Sequence, residues 1–161
     1  MGRPLPFDVA PWSIGLDGLH LTGLGHSESV FALSNGHLGW RGTFDEGSPA
    51  DQQGTYLNGV FESHRMPYAE AGYGYPPVGD TIVNVPNGTV IRLMVGDHPL
   101  DLGTGDLLEH RQELDFRAGT LSRRLVWRSP AGQTIGLTVT RLVSFAHRAI
   151  GAIRYEVEAI D

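Results

Sequence analysis

The plainest pattern in this chain lies in its second half, where apolar and polar residues alternate with the two-residue period of a β-strand. From Thr134 to Ser144, Ile135, Leu137, Val139 and Val143 fall on one face and Thr138 and Thr140 on the other. Ile153, Tyr155 and Val157 alternate in the same way with Arg154, Glu156 and Glu158. Thr120 to Arg128 is a further strand, with Ser129-Pro130-Ala131-Gly132 as the turn that follows it. Leu107 to Phe116 fits a strand or a short helix. No segment carries a strong 3.6-residue period.

The first half is punctuated by Asn-Gly pairs, which suit tight turns between strands. They predict one hairpin from Ser29–Leu33 through Asn35-Gly36 to His37–Trp40. A second is predicted from Thr55–Leu57 through Asn58-Gly59 to Val60-Phe61, and a third from Thr81–Val85 through Pro86-Asn87-Gly88 to Thr89–Val95. Ser63 to Asp80 fits no period. It holds Gly72, Gly74, Pro76, Pro77 and Gly79 with Tyr68, Tyr73 and Tyr75, and is expected to be a long loop of functional weight. The total is about seven to nine short strands with turn signals at sandwich-like spacing. The pattern stops at Asp161 directly after a strand, so the expectation is the first part of an all-β sandwich rather than a closed one.

Composition narrows the function. The 161 residues are one domain's worth. A net charge of −6 with no basic run argues against nucleic-acid binding. Cysteine is absent, so disulfides, thiolate metal sites and a Cys nucleophile are excluded. No apolar run is long enough to span a bilayer, and the proline-bearing N-terminus, Met1 to Ile14, lacks the apolar core of a signal peptide. The expected location is the cytoplasm.

Candidate chemistry is thin. Asp45-Glu46, Glu62, Asp80 and Glu109 could in principle supply an acid and a base. Most of the 18 acidic residues must nevertheless be solvated surface. The seven histidines match no metal motif and are expected on surface or loops. Gly23-Leu24-Gly25 and Gly103-Thr104-Gly105 are not expected to open a helix, and no nucleophile elbow is present. Trp40 and Phe61 are assigned to the core, while Tyr73 and Tyr75 are the better ligand or interface candidates. Arg111, Asp115, Arg117, Arg123 and Arg124 are expected to be a surface ion-pair network, or a docking face for another domain.

One stretch is more specific. Glu28-Ser29-Val30-Phe31-Ala32-Leu33-Ser34-Asn35-Gly36-His37-Leu38-Gly39-Trp40-Arg41-Gly42 resembles the opening signature of the N-terminal domain of glycoside hydrolase family 65, the family of maltose, trehalose and kojibiose phosphorylases and acid trehalases. Phe44-Asp45-Glu46, the run Gly54 to Glu62, Val83 to Asn87, Leu114 to Arg117, Gly119 to Leu121 and Arg141 to Ser144 resemble later blocks of that domain, in order.

The resemblance implies a large twisted antiparallel β-sandwich of the galactose-mutarotase-like (supersandwich) type, of which residues 1–161 are the N-terminal domain or its first part. It implies a catalytic helical barrel elsewhere, holding the general acid and the phosphate site, so no residue here is expected to be catalytic and none to hold a metal. The implied chemistry is inverting cleavage of α-glucosidic disaccharides by phosphate or water, with inorganic phosphate as the co-substrate of a phosphorylase and no cofactor. The implied partners are carbohydrate through the full enzyme, the chain's own catalytic domain, and a second copy in a homodimer. Asn35, Arg41, Asn58, Tyr73 and Tyr75 are the candidates for substrate or interdomain contact. The alternatives are a free-standing carbohydrate-binding module, which needs a planar row of exposed aromatics, and a mutarotase-like epimerase, which needs a His and a carboxylate facing one groove.

Overall fold

A computed structural model describes residues 5–48, 50–70 and 72–161. The long strands of the second half form as their alternation predicts. β1 (Asp8–Ala10) and β2 (Ser13–Asp17) lead into α1 (Leu24–Val30), which follows a single 3-10 turn. Then come β3 (Leu33–Ser34), β4 (Leu38–Trp40), β5 (Thr55–Leu57), β6 (Phe61–Arg65), β7 (Val78–Ile82), β8 (Met94–Val95) and β9 (His98–Pro99). The chain closes with β10 (Asp106–Asp115), β11 (Thr120–Arg128), β12 (Thr134–Val143) and β13 (Gly151–Ala159). Every pairing is antiparallel, and six strands form one sheet in the order β1-β2-β10-β11-β12-β13. Among the described residues, no helix is long and apolar enough to cross a membrane.

The second layer is built from the first half. Leu33, Leu38 and Trp40, with Phe31 at the end of α1, pack on Leu16, Leu114, Leu121 and Val143 of the large sheet. Further along the same face, Leu100 covers Leu125, Trp127, Ile135, Leu137 and Val139, with Leu93, Val95 and Leu102 at its margin. The architecture is a β-sandwich, as expected, with one broad layer and one fragmented layer.

The Asn-Gly turns were only half informative. Ser29 and Val30 end a helix rather than begin a strand. The buried positions Leu24, Ser27, Glu28 and Phe31 follow helical spacing, but Ser27 and Glu28 are polar, so the apolar signal is masked. Gly23 therefore precedes a helix, contrary to expectation. The predicted third hairpin does not form. The amide of Val85 bonds the carbonyl of Thr55 at 2.9 Å and that of Ile91 bonds Asp45 at 2.8 Å, so its two arms join different segments. The second Asn-Gly pair makes a turn, but β5 pairs with β4 and β6 with β7, so it links two different sheets.

The Ser63–Asp80 segment is irregular only at its tip. Its ends belong to the β6–β7 ribbon, in which Phe61 faces Ile82 and Ser63 faces Asp80. This ribbon is exposed almost throughout. Phe61 is 49 % exposed, which corrects its assignment to the core, whereas Trp40 is buried as expected.

Candidate functional site

The signature residues fold into a turn and the wall of a groove. Gly36 holds φ +81° while Asn35 keeps a negative φ, so the turn is not the type with two left-handed residues. The Asn35 carboxamide shapes it instead. Its Oδ1 accepts the amides of His37 and Leu38, both at 2.9 Å. Its Nδ2 donates to the carbonyls of Ser144 at 2.6 Å and Arg148 at 3.0 Å. All four hydrogen-bonding positions of the carboxamide are thus used within the chain, tying the signature to the β12–β13 connection. Beside the turn, a groove of about 460 Å3 is lined by His37, Trp40, Arg41, Tyr56, Asn58 and Ile82, among others.

Arg41 and Asn58 therefore share one groove. The Arg41 guanidinium donates to the carbonyl of Gly25 at 2.8 Å and lies 3.4 Å from both the Glu28 carboxylate and the Gln52 amide oxygen. Glu28 is fully buried and also accepts the Gln52 amide at 3.1 Å. Gly42 ends the signature because a β-carbon there would sit 2.6 Å from that of Phe31 and 2.9 Å from its carbonyl oxygen.

Tyr73 and Tyr75 lie elsewhere, at the tip of the β6–β7 ribbon. Tyr73 is fully exposed and Tyr75 half-exposed. The ring of Tyr75 stands 4.7 Å from that of Tyr68, tilted by 41°. A second groove of about 680 Å3, lined by Arg65, Met66, Tyr68, Glu70, Tyr75 and Val78 among others, opens beside this pair. The structure thus places Arg41 and Asn58 in the signature groove, Tyr73 and Tyr75 at the ribbon tip, and Asn35 in the turn beside the groove with its carboxamide fully used. Ala71, within the predicted loop, lies outside the described residues, as do Met1 to Pro4 of the N-terminal segment.

The main electrostatic feature was not expected. Arg123 and Arg141 point inward between the two apolar clusters and are each 3 % exposed. Arg123 grips Glu46 through both guanidinium arms at 2.6 and 2.7 Å and lies over the Phe44 ring at 4.3 Å. Arg141 donates to Asp45 and, at 2.8 Å, to the carbonyl of Thr43. Arg123 thus departs from the predicted surface cluster. Arg111 stays at the surface with Asp8, Asp17 and Glu113. Parity was the available signal: Arg123 shares its strand face with Leu121, Leu125 and Trp127, and Arg141 shares its face with Val139 and Val143.

His110 completes the stripe and is the one buried histidine among the described residues. Arg123 donates to its Nε2 at 3.1 Å, so its proton sits on Nδ1, which donates to the carbonyl of Gly18 at 2.9 Å. Burial, aided by the Arg123 charge, lowers its pKa to about 4 from the ordinary 6.5. Burial raises Asp51 in the opposite sense, from 3.8 to about 6. Its Oδ2 accepts the Ser48 amide at 2.7 Å while its Oδ1 is buried without a partner.

These two groups make opposing contributions to acid stability. Between pH 4 and 6.5 the unfolded chain holds more protons at His110, so stability from this group rises with pH and is fully present above 6.5. Between pH 3.8 and 6 the folded chain holds more protons at Asp51, so stability from that group falls as pH rises. Asp51→Asn removes the second slope. Its urea midpoint is expected to climb more steeply from pH 4.5 to 6.5 than that of the unsubstituted chain. Parallel profiles for the two proteins would refute the opposition.

Comparison with known proteins follows the same line. The model of the glycosyl hydrolase family 65 N-terminal domain matches residues 14–161. An uncharacterized glycosyl hydrolase of Mycobacterium tuberculosis is 56 % identical over 155 residues, covering 96 % of this chain and 20 % of that protein. The α,α-trehalose phosphorylase of Thermoanaerobacter brockii is 34 % identical over 139 residues, covering 84 % of this chain and 18 % of the enzyme. A solved chain from the human microbiome, assigned as a kojibiose phosphorylase, superimposes with a TM-score of 0.81 at 26 % identity, over 95 % of this chain and 21 % of its own. The chain thus spans about a fifth of the length of the relatives it matches.

Proposed function

This chain belongs to glycosyl hydrolase family 65, and on that footing we propose that it serves as the N-terminal β-sandwich part of a cytoplasmic enzyme that cleaves an α-glucosidic disaccharide. The trehalose and kojibiose phosphorylases among its relatives favour glucosyl transfer to inorganic phosphate, with phosphate as the co-substrate. Within that enzyme this part supports the catalytic domain and contributes contacts to it; it does not break the glycosidic bond.

The observation that carries this reading is the state of the buried acids. Glu28, Asp45 and Glu46 are each engaged by arginine side chains or backbone amides, which leaves none of them placed to give or take a proton at a sugar. Asp51 holds its proton more tightly than usual, but it is not among the residues lining either groove. An epimerase reading would need a His facing a carboxylate across a groove. His110 is held between Gly18 and Arg123, and the groove containing His37 has no carboxylate in its lining.

The signature groove, with Arg41 and Asn58, and the ribbon tip, with Tyr73 and Tyr75, are the surfaces assigned to contact with the catalytic domain. Each exposes apolar or aromatic atoms beside polar ones, as interdomain contacts do. The binding-module reading rests on the fully exposed Tyr73, but Tyr68 and Tyr75 tilt against each other rather than form a flat platform.

The test is direct. Mixed with phosphate and maltose, trehalose or kojibiose, the chain is expected to release no glucose 1-phosphate. Its tryptophan fluorescence, to which Trp12, Trp40 at the groove and Trp127 all contribute, is expected to show no saturable response to these sugars. Sustained turnover would overturn the support role, and saturable binding without turnover would install the binding-module reading. In a full-length relative carrying the same signature, the Arg41→Ala equivalent is expected to lower activity or stability, and an unchanged enzyme would remove Arg41 from the contact.

A further inference from the structure

Strand alternation carries polar side chains into the interior at neighbouring positions of the large sheet. Gln112 of β10, Arg123 of β11 and Val139 of β12 lie on one cross-strand rung, and Leu121 and Arg141 lie on the next. Thr43 and Asp45 of the second layer stand over them. These residues, all of them buried, enclose a cavity of about 10 Å3, on the measure by which one water needs about 10–15 Å3. Its walls are interior side chains of this chain, so the site depends on no outer surface.

The hydrogen bonds already made leave polar groups at this spot short of a partner. Arg141 donates from Nε and Nη2 to Asp45 Oδ1 and from Nη1 to the Thr43 carbonyl. Each of its two terminal nitrogens therefore keeps a second N–H. Asp45 Oδ1 takes both of those Arg141 bonds. Its Oδ2 is met, among the described residues, only by Arg123 Nη1 at 3.5 Å, the outer limit of a hydrogen bond. The Gln112 side chain is buried and its carboxamide has no hydrogen-bond partner among the described residues. Buried groups of these kinds are almost always satisfied.

We propose that this cavity is the binding site of a single water molecule, held by Asp45, Gln112 and Arg141. The water accepts from a spare N–H of Arg141 and donates to Asp45 Oδ2 and to the Gln112 carboxamide oxygen. That makes about the three bonds usual for a buried water. Charge selects a neutral occupant. Arg123 and Arg141 are balanced by Glu46 and Asp45, so nothing is left to attract an anion. An apolar void of this size would stay dry, but this one is lined by an acid, an amide and two guanidinium groups. The water thus bridges β10 and β12 to the Thr43–Glu46 segment and belongs to the join between the two layers.

High-resolution crystal structures of the chain, grown with and without bromide, test this. One rounded density peak is expected within hydrogen-bonding distance of Asp45 Oδ2 and Gln112, with no anomalous signal in bromide. Absence of density there would overturn the inference, and so would bromide at the site. Val139→Ile adds a methyl group to the cavity wall and is expected to expel the water. Oxygen-17 relaxation dispersion, which counts waters held longer than the protein takes to tumble, is then expected to lose one water, with circular dichroism showing that the variant is folded. An unchanged count would overturn the site. A higher urea midpoint for Val139→Ile would overturn it too, because filling a dry void stabilises whereas expelling a bonded water leaves Asp45 and Gln112 unpaired. Where the variant does not fold, the density in the unsubstituted chain decides.

Discussion

Replacing Arg123 by methionine is expected to destabilise the fold by about 3–5 kcal/mol, as removal of one partner of a buried ion pair does. Arg123 is buried on the inner face of β11 and neutralises Glu46, which is 9 % exposed, through two short hydrogen bonds. Methionine has similar length but no charge, so Glu46 would be left buried without its partner. His110 would lose the donor on its Nε2 at the same time. Asp45 keeps Arg141, so the damage is centred on Glu46. The measurement is the urea midpoint of Arg123→Met at pH 7, with the slope checked for two-state behaviour. The companion variant, Arg123→Met with Glu46→Leu, removes both charges and is expected to recover most of the loss, because two apolar side chains carry no desolvation cost. If the single variant is as stable as the parent, the buried pair is not what holds Thr43–Glu46 to the sheet.

Phe31→Ala is expected to cost a similar amount, about 3–5 kcal/mol, by a different mechanism. Phe31 is wholly buried, meets Phe7 edge-to-face at a centroid distance of 5.9 Å, and sits in the cluster that joins the signature to β2, β10, β11 and β12. Its backbone is held against Gly42, so neighbouring chain cannot easily collapse into the space the ring would vacate. For a domain of this size the expected fall in melting temperature is roughly 10–15 °C. The effect should also reach the groove, because α1 carries Glu28 and the carbonyl of Gly25, both of which position Arg41. Differential scanning calorimetry would give the stability loss, and a loss well under 1 kcal/mol would show that the second layer is not anchored at Phe31.

The two substitutions probe the two ways the signature half is joined to the sheet. Phe31 anchors it by apolar packing at one end, and Arg123 with Arg141 anchors it by charge in the middle. Both anchors depend on residues far apart in sequence, and this separates what could be foreseen from what could not.

Alternation alone placed β11, β12 and β13 to within a residue or two, because a strand buried on one face carries its period in its own side chains. The β-sandwich class and the family followed from the sequence as well, the latter from the run Glu28 to Gly42. Pairing was a different matter. The second Asn-Gly turn was legible and the third was not formed, and in both places the flanks bond to other segments, since hydrogen-bond partners in a sheet are chosen by the whole topology. α1 was hidden because its buried face carries Ser27, whose hydroxyl donates to the carbonyl of Leu24 within the helix, and Glu28, which is satisfied only when Gln52 and Arg41 arrive from elsewhere. The inward arginines were hidden for the same reason. A charged residue at a core-facing position reads as surface until its counter-ions, here 77 to 96 residues away, are brought beside it. Local chemistry thus determined the strands. Only the tertiary structure decided which strands meet, and which charges may be buried because they meet.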